Sequence, residues 1–318
     1  MNHQNQISAR EENAKKMSEV FTEQIMSSQN EESVLTGFEN LDQILHRGLH
    51  PNLMIIGGGT GTGKSSFILQ IADNIAKSGQ DVLFFSLEMA VSELSSKSIS
   101  RITYELNPDH ALTAAEIMYD YSIWQEDPEV RMTFLEAKDI YFKKIAPNIF
   151  FNEAAFYLTM EKIRQEVQNH IQKYDTTPVI IIDYIQLLQG ANPRASDKQT
   201  MDEVIYGLEQ LCHEFHTPVI GLSSINRGSY SSKSKSTNIR SDSFKESGSI
   251  EYTAEILFGF NQEKVIPGQG IRKIKLEVLK GRFMPDGHCL YFDFYPAYGF
   301  FEESKSQTQG NTLKKDNM

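Results

Sequence analysis

The chain has 318 residues, of which 40% are hydrophobic and 23% are charged. These proportions are typical of soluble globular proteins and exclude collagen-like and wholly disordered chains. The formal charge of −11 argues against a protein that coats nucleic acid with its whole surface, but it allows a local basic site. Two cysteines, Cys212 and Cys289, indicate a reducing compartment. Because the N-terminus is polar and no apolar run reaches about 18 residues, we predict a cytoplasmic protein without a membrane span.

The N-terminal segment, residues 1–33, is mostly polar. Within it Ala14, Met17, Phe21 and Ile25 recur at spacings of three and four, which predicts a short amphipathic helix. Its apolar stripe is too narrow to fold by itself. Two interpretations are open, a frayed tail or an arm that docks on a neighbouring subunit.

From residue 53 onward, short apolar runs alternate with helical patterns. Uninterrupted runs of valine, isoleucine, leucine and phenylalanine are typical of strands that helices cover on both faces of a parallel sheet. Such runs occur at 53–56, 82–85, 179–182 and 219–222, and helical stripes occur at 67–76, 160–171 and 204–215.

Two other regions have a different character. Residues 90–144 are mostly helical in pattern, with breaks at Pro108 and Pro128. Residues 274–279 and 289–294 predict half-exposed strands that form a hairpin at one sheet edge. The predicted fold is therefore α/β, with a mostly parallel central sheet flanked by helices and an antiparallel edge hairpin near the C-terminus.

A glycine-rich segment follows the first predicted strand and begins a helix. It matches the pattern G-x-x-x-x-G-K-[ST] in full. Glycines let successive backbone N–H groups surround phosphates, and the helix N-terminus favours negative charge. We expect Lys64 to reach the β- and γ-phosphates and Ser65 to ligate Mg²⁺. The predicted nucleotide-binding residues are Gly58, Gly59, Thr60, Gly61, Thr62, Gly63, Lys64, Ser65 and Ser66.

Two carboxylates follow other predicted strands at the same sheet edge. Asp183 ends the run 179–182, where an aspartate of a P-loop fold holds Mg²⁺. Glu88 follows the run 82–85, and a carboxylate there can orient and deprotonate an attacking water. Alone, Asp183 could be a cap and Glu88 an ordinary surface residue, so both assignments depend on the P-loop upstream.

The order of these segments resembles the C-terminal ATPase domain of bacterial DnaB-type replicative DNA helicases, within the RecA-like P-loop fold. The resemblance covers about residues 35–302. Besides the P-loop, it rests on Thr36-Gly37-Phe38, Phe84-Phe85-Ser86-Leu87-Glu88-Met89, Ile181-Ile182-Asp183-Tyr184-Ile185-Gln186-Leu187-Leu188, Pro218-Val219-Ile220-Gly221-Leu222-Ser223 and Glu246-Ser247-Gly248-Ser249-Ile250-Glu251. It implies an arm at 1–33, an ATPase domain at 34–302 and a disordered tail at 303–318, without the N-terminal domain of the family.

The resemblance also implies a function. The chain is expected to be an ATP-dependent DNA helicase or translocase that couples hydrolysis at subunit interfaces to movement on single-stranded DNA. The implied cofactors are ATP and Mg²⁺. The implied partners are single-stranded DNA, further copies in a homo-oligomeric ring, with a hexamer favoured, and replication proteins. An alternative is a nucleotide-dependent interaction module of the same fold that binds ATP and does not unwind DNA.

The family resemblance implies two further catalytic residues, and the sequence departs from the family pattern at Ser224 and in the stretch 252–255, which keeps one acid. Lys280 and Arg282 fall where the family carries a Lys-x-Arg pair that reaches the γ-phosphate of the adjacent subunit, so the implied catalytic set is Lys64, Glu88, Asp183, Lys280 and Arg282. Ser224 stands where the family usually has a glutamine that senses the γ-phosphate and connects it to the DNA loops. A serine is too short to bridge the same gap unaided.

The segment 228–249 is rich in serine and lysine and matches the channel loop of the family in position. Its composition suits backbone contacts to a single strand, although a solvated surface loop has a similar composition. Tyr230 and Phe244 are its candidates for base stacking. The predicted DNA-binding residues are Arg227, Lys233, Lys235, Arg240 and Lys245.

Overall fold

The computed structural model describes residues 3–30, 33–120, 122–153, 157–225, 239, 244, 248–266, 268 and 270–304. The chain divides into two compact units, Met1–Val34 and Leu35–Met318. No helix among the described residues is long and apolar enough to cross a membrane.

The first unit contains one helix, α1 (His3–Asn30), of 28 residues. This confirms the predicted helix and makes it longer than expected. Met17, Val20 and Phe21 are exposed, with 66%, 46% and 63% of their surface accessible. Their i, i+3, i+4 spacing places them on one face, so α1 carries an apolar stripe along a polar helix.

The second unit contains nine further α-helices and a nine-stranded sheet among its described residues. The helices are α2 (Glu39–Ile44), α3 (Lys64–Lys77), α4 (Val91–Leu106), α5 (Ala114–Tyr119), α6 (Ile123–Glu126), α7 (Pro128–Ile140), α8 (Met160–Tyr174), α9 (Asp197–Phe215) and α10 (Gly248–Thr253). The strands are β1 (Leu53–Gly58), β2 (Val82–Ser86), β3 (Ile149–Asn152), β4 (Val179–Asp183), β5 (Val219–Ser224), β6 (Ile256–Val265), β7 (Arg272–Gly281), β8 (Cys289–Tyr295) and β9 (Phe300–Glu303).

The strands follow the order β3-β2-β4-β5-β1-β6-β7-β8-β9. The strands from β3 to β6 are parallel, and β6 to β9 are joined antiparallel. Every residue of β1, β2 and β4 is buried, as uninterrupted apolar runs predict for strands covered on both faces. The predicted α/β fold is confirmed, including its antiparallel region near the C-terminus.

Three strands were not predicted, namely β3, β6 and β9. The run that forms β6 contains Gly259 and continues into the polar residues 261–264, so it lacks the pattern of either strand type. The antiparallel region is therefore a four-strand meander beginning with β6, rather than a hairpin alone. Glu303, the last residue of β9, accepts a hydrogen bond from the Asn40 backbone N–H at 2.8 Å, which connects β9 to α2.

The helix that begins at the P-loop is fixed to the sheet by aromatic packing. Phe67 of α3 is fully buried. Its ring lies 5.2 Å from those of Phe38 and Phe301 and 5.1 Å from that of Phe292, measured between centroids. The contact with Phe38 is stacked and the other two are edge-to-face, and both arrangements stabilise the packing beyond the burial of apolar surface. The packing sets the position of the N-terminus of α3 relative to the ends of the strands.

Candidate nucleotide-binding site

The phosphate loop connects the end of β1 to the first residue of α3, which is Lys64. Gly61 and Gly63 adopt left-handed φ angles of +75° and +104°. A Cβ atom at Gly63 would lie 2.7 Å from a ring carbon of Phe294, so both the angle and the space require glycine there. Thr62 Oγ1 donates to the Gly59 carbonyl at 2.8 Å, which closes the loop on itself. Of the remaining predicted loop residues, Thr60 is exposed and Ser66 is buried.

The Lys64 ammonium lies inside the loop. Its Nζ atom donates to the carbonyl oxygens of Gly58 and Gly59, both at 2.8 Å. Burial lowers the pKa of Lys64 to about 8, and the nearby charges of Asp183 and Glu88 oppose that shift. The lysine is therefore close to both predicted carboxylates, as a phosphate-binding lysine of this loop requires.

Ser65 and Asp183 meet directly beside the loop. Asp183 ends β4 and is 3% exposed, and the Ser65 side chain lies close enough to the Asp183 carboxylate to act on its pKa. Burial raises the pKa of Asp183, while the Ser65 side chain and the Lys64 charge counteract this rise. A hydroxyl and a carboxylate are oxygen donors of the kind that Mg²⁺ prefers. No cluster of three or more His, Cys, Asp or Glu side chains that could hold a metal occurs among the described residues.

Glu88 lies two residues beyond β2 at the same edge of the sheet. Ser86 is the register partner of Asp183, and the Leu87 N–H donates to the Asp183 carbonyl at 2.9 Å. Glu88 is exposed and close enough to act electrostatically on Lys64 and Asp183. An accessible carboxylate next to a phosphate-binding lysine can take a proton from water.

The predicted cation pair lies at the other end of the strands. Lys280 Nζ donates to the carbonyls of Glu251 and Tyr252 at the end of α10, at 2.7 and 2.9 Å. Burial lowers the pKa of Lys280. The Arg282 side chain is 70% exposed and lies 3.4 Å from the Glu255 carboxylate. Only Arg282 of this pair therefore extends into solvent from the sheet.

Two further side chains lie at the sheet edge that carries the phosphate loop, and neither was assigned a role from the sequence. Arg272 Nη1 donates to the Gly61 carbonyl at 2.9 Å, which places a second cation of the same chain beside the loop. Gln186 forms hydrogen bonds to Ser223 and Ser224 at the end of β5. Gln186 lies in a segment that carries the family resemblance, but the residues next to it in the sequence do not indicate that its side chain bonds to the end of β5.

A family model described as the DnaB-like helicase C terminal domain matches residues 33–302. The chain belongs to this family.

The chain is similar to curated proteins described as replicative DNA helicases. It is 31% identical over 233 residues to the replicative DNA helicase DnaB of Leifsonia xyli subsp. xyli, covering 72% of this chain and 47% of the relative. It is 27% identical over 253 residues to the replicative DNA helicase DnaB of Pasteurella multocida, covering 78% and 50%. The chain thus spans about half the length of the curated relatives it matches.

Solved structures share the fold. One of them, described as an ATPase domain, superposes with a TM-score of 0.76 at 22% identity, covering 92% of this chain and 98% of that chain. A structure described as a DnaB-like replicative helicase and its interactions with primase gives a TM-score of 0.72 at 22% identity, covering 90% and 65%. Together with the strand order, these likenesses confirm the RecA-like fold of the DnaB-like domain.

All five predicted DNA-binding residues, Arg227, Lys233, Lys235, Arg240 and Lys245, lie outside the described residues. So does Tyr230. Phe244, a candidate for base stacking, is 3% exposed and belongs to the hydrophobic core, so its ring is not available to stack on a base. A Cβ at Gly57 would lie 2.1 Å from the Phe244 ring, so the glycine makes room for it in β1.

Proposed function

We propose that this chain is the ATP-hydrolysing motor of a replicative-type DNA helicase, coupling hydrolysis at subunit interfaces to movement on single-stranded DNA. The observation that carries the proposal is the convergence of Lys64, Ser65, Asp183 and Glu88 at one edge of a RecA-like sheet, in a chain of the DnaB-like family. The names of the relatives support the same conclusion.

The proposed cofactors are ATP and Mg²⁺, held by the loop of residues 58–66. Lys64 would exchange its hydrogen bonds to the Gly58 and Gly59 carbonyls for phosphate oxygens. Ser65 and Asp183 are the residues that would hold Mg²⁺, which neutralises phosphate charge when bound.

Hydrolysis needs a base and a source of positive charge. Glu88 would take the proton of the attacking water, since it is exposed beside the phosphate-binding lysine. Arg282 would stabilise charge on the phosphates of a neighbouring subunit. The catalytic role that the family resemblance implies for Lys280 stays a proposal. In this structure its ammonium is bound to α10 carbonyls, where it would orient the end of β7 that precedes Arg282.

The proposed assembly is a homo-oligomeric ring, with a hexamer favoured, whose residues Arg227, Lys233, Lys235, Arg240 and Lys245 contact single-stranded DNA. Replication proteins are further proposed partners, which the primase named with one structural relative supports. An arm at 1–33, an ATPase domain at 34–302, a disordered tail beyond it and a cytoplasmic location remain predictions.

The experiment measures ATP hydrolysis with and without single-stranded DNA, and strand separation on a forked duplex. The motor is expected to show hydrolysis that DNA stimulates and that Lys64→Ala abolishes, together with ATP-dependent unwinding. Nucleotide binding with neither DNA stimulation nor unwinding would refute the proposal and favour the interaction module.

A further inference from the structure

A glutamine side chain joins the ends of β4 and β5 beside the phosphate loop. The backbone register between these strands ends at Ile182 and Gly221. Beyond it, the Gln186 amide nitrogen donates to the Ser223 hydroxyl at 2.8 Å and to the Ser224 carbonyl at 3.0 Å. The Gln186 amide oxygen accepts from the Ser224 N–H at 3.2 Å. The side chain therefore pairs with both backbone groups of Ser224, as a neighbouring strand would.

The residues that Gln186 holds contact the phosphate loop directly. Ser224 is the register partner of Gly58, and the Ile225 N–H donates to the Gly58 carbonyl at 3.1 Å. The same carbonyl accepts from Lys64 Nζ at 2.8 Å. One oxygen thus connects the phosphate-binding lysine to the exit of β5. A phosphate that draws Lys64 away changes the hydrogen bonding of that exit, because linked hydrogen bonds polarise one another.

We propose that Gln186 is the positioning residue that couples nucleotide binding to the segment 226–247, which follows β5 in the chain. The inference rests on the proposed function, since that segment carries the predicted DNA-binding cations. Ser224, at the end of β5, has no side-chain amide. The side-chain amide at this position comes from Gln186, which follows β4 in the chain. Gln186 follows Asp183 by three residues, so it links the proposed magnesium aspartate, the loop and the exit of β5.

The chemistry of the site requires an amide. Its oxygen accepts and its nitrogen donates, whereas a carboxylate can only accept. Gln186 is exposed, so its hydrogen bonds add little to the global free energy of unfolding. Removing them is therefore expected to loosen the exit of β5 without unfolding the domain.

The test uses Gln186→Ala and the isosteric Gln186→Glu, with Gln189→Ala as control. Gln189 is also exposed and lies three residues further along the same segment. The ATPase kcat and KM are measured with and without single-stranded DNA, and thermal melting verifies folding. In both Gln186 variants the ratio of stimulated to basal kcat is expected to fall by about two- to thirtyfold, with the KM for ATP nearly unchanged. The control is expected to keep the wild-type ratio.

A second-site variant separates coupling from a purely structural loss. In the Gln186→Ala background, Ser224→Gln supplies an amide from β5 and is expected to restore part of the lost stimulation. An unchanged ratio in both Gln186 variants overturns the inference, as does an equal loss in Gln189→Ala or the absence of rescue. If the wild-type protein hydrolyses ATP without any response to DNA, the proposed function fails first and this inference with it.

Discussion

We predict that Arg282 acts on a nucleotide bound by another subunit, and the sheet register gives the reason. Gly281 pairs with Ile256, which pairs with Met54 near the start of β1, whereas the phosphate loop leaves the end of β1 at Gly58. The four residue steps from Met54 to Gly58 cover about 13 Å at the usual rise per residue. This separation is longer than an arginine side chain, so Arg282 cannot reach the loop of its own chain.

Complementation between two inactive variants measures this arrangement. Lys64→Ala removes phosphate binding and keeps the arginine, and Arg282→Ala does the opposite. Each variant alone is expected to lose about 10³-fold or more of the ATPase kcat. In rings assembled from an equimolar mixture of dissociated chains, about one quarter of interfaces pair an intact loop with an intact arginine, so about one quarter of the wild-type rate returns if interfaces act independently.

The assay is phosphate release at a series of mixing ratios, with a maximum expected at equal amounts. Arg272 provides the matched control because it contacts the loop of its own chain. Any loss that Arg272→Ala causes is therefore not restored by Lys64→Ala chains. A mixture of the Lys64 and Arg282 variants that stays inactive at every ratio, despite normal assembly, would refute the reasoning.

Three further predictions concern pH, packing and loop geometry. Burial lowers the pKa of Lys64 to about 8. Only the protonated ammonium attracts phosphate, so a pH–rate profile should show kcat/KM for ATP falling as pH rises through about 8. The decrease in kcat should be smaller, because bound phosphate stabilises the protonated ammonium. A kcat/KM that does not change with pH would contradict this prediction. Asp73 and Arg101 form a buried ion pair, so Arg101→Ala should lower the free energy of unfolding by about 3–5 kcal/mol in denaturant titrations. The double variant Asp73→Ala with Arg101→Met should recover much of that loss, because it leaves no buried charge without a partner. If the losses of the single variants simply add in the double variant, the unpaired Asp73 carboxylate is not the cause of the loss. A Cβ at Gly63 would lie 2.7 Å from an aromatic carbon, whereas no atom of the described residues lies within 4 Å of one at Gly61. Calorimetry should therefore show that Gly63→Ala weakens ATP binding more than Gly61→Ala does. The Gly61→Ala change adds only about 1–2 kcal/mol of left-handed backbone strain. Equal losses of ATP affinity in the two variants would exclude the steric explanation.

The residues at the phosphate edge were predictable because each lies at a fixed offset from the end of a buried strand. Parallel strands end at one edge, so Asp183 at the end of β4 and Glu88 after β2 had to lie near the loop after β1. Ser86 pairs with Asp183 as this reasoning requires. The apolar runs that define those strands depend only on local periodicity, which a single sequence displays.

The contacts that sequence reasoning missed depend on pairs of residues far apart in the chain. Arg272 and Gly61 are 211 residues apart, and no pattern around either residue indicates their hydrogen bond. Phe244 lies in a serine-rich stretch whose composition predicts a surface position, yet the missing side chain of Gly57 opens a space in the core that receives it. Such complementarity is a property of the packed fold rather than of a local segment.

The ladder from β1 through β6 to β7 has a mechanical consequence. The phosphate loop and Arg282 lie at opposite edges of one rigid sheet, since both follow strands that are paired through β6. A subunit therefore cannot bring its own loop closer to its own Arg282, the residue that we propose acts on a neighbouring subunit. A displacement of the phosphate loop must therefore move Arg282 with it as a rigid body. In a ring, Arg282 would approach the nucleotide of the next subunit only when whole subunits rotate.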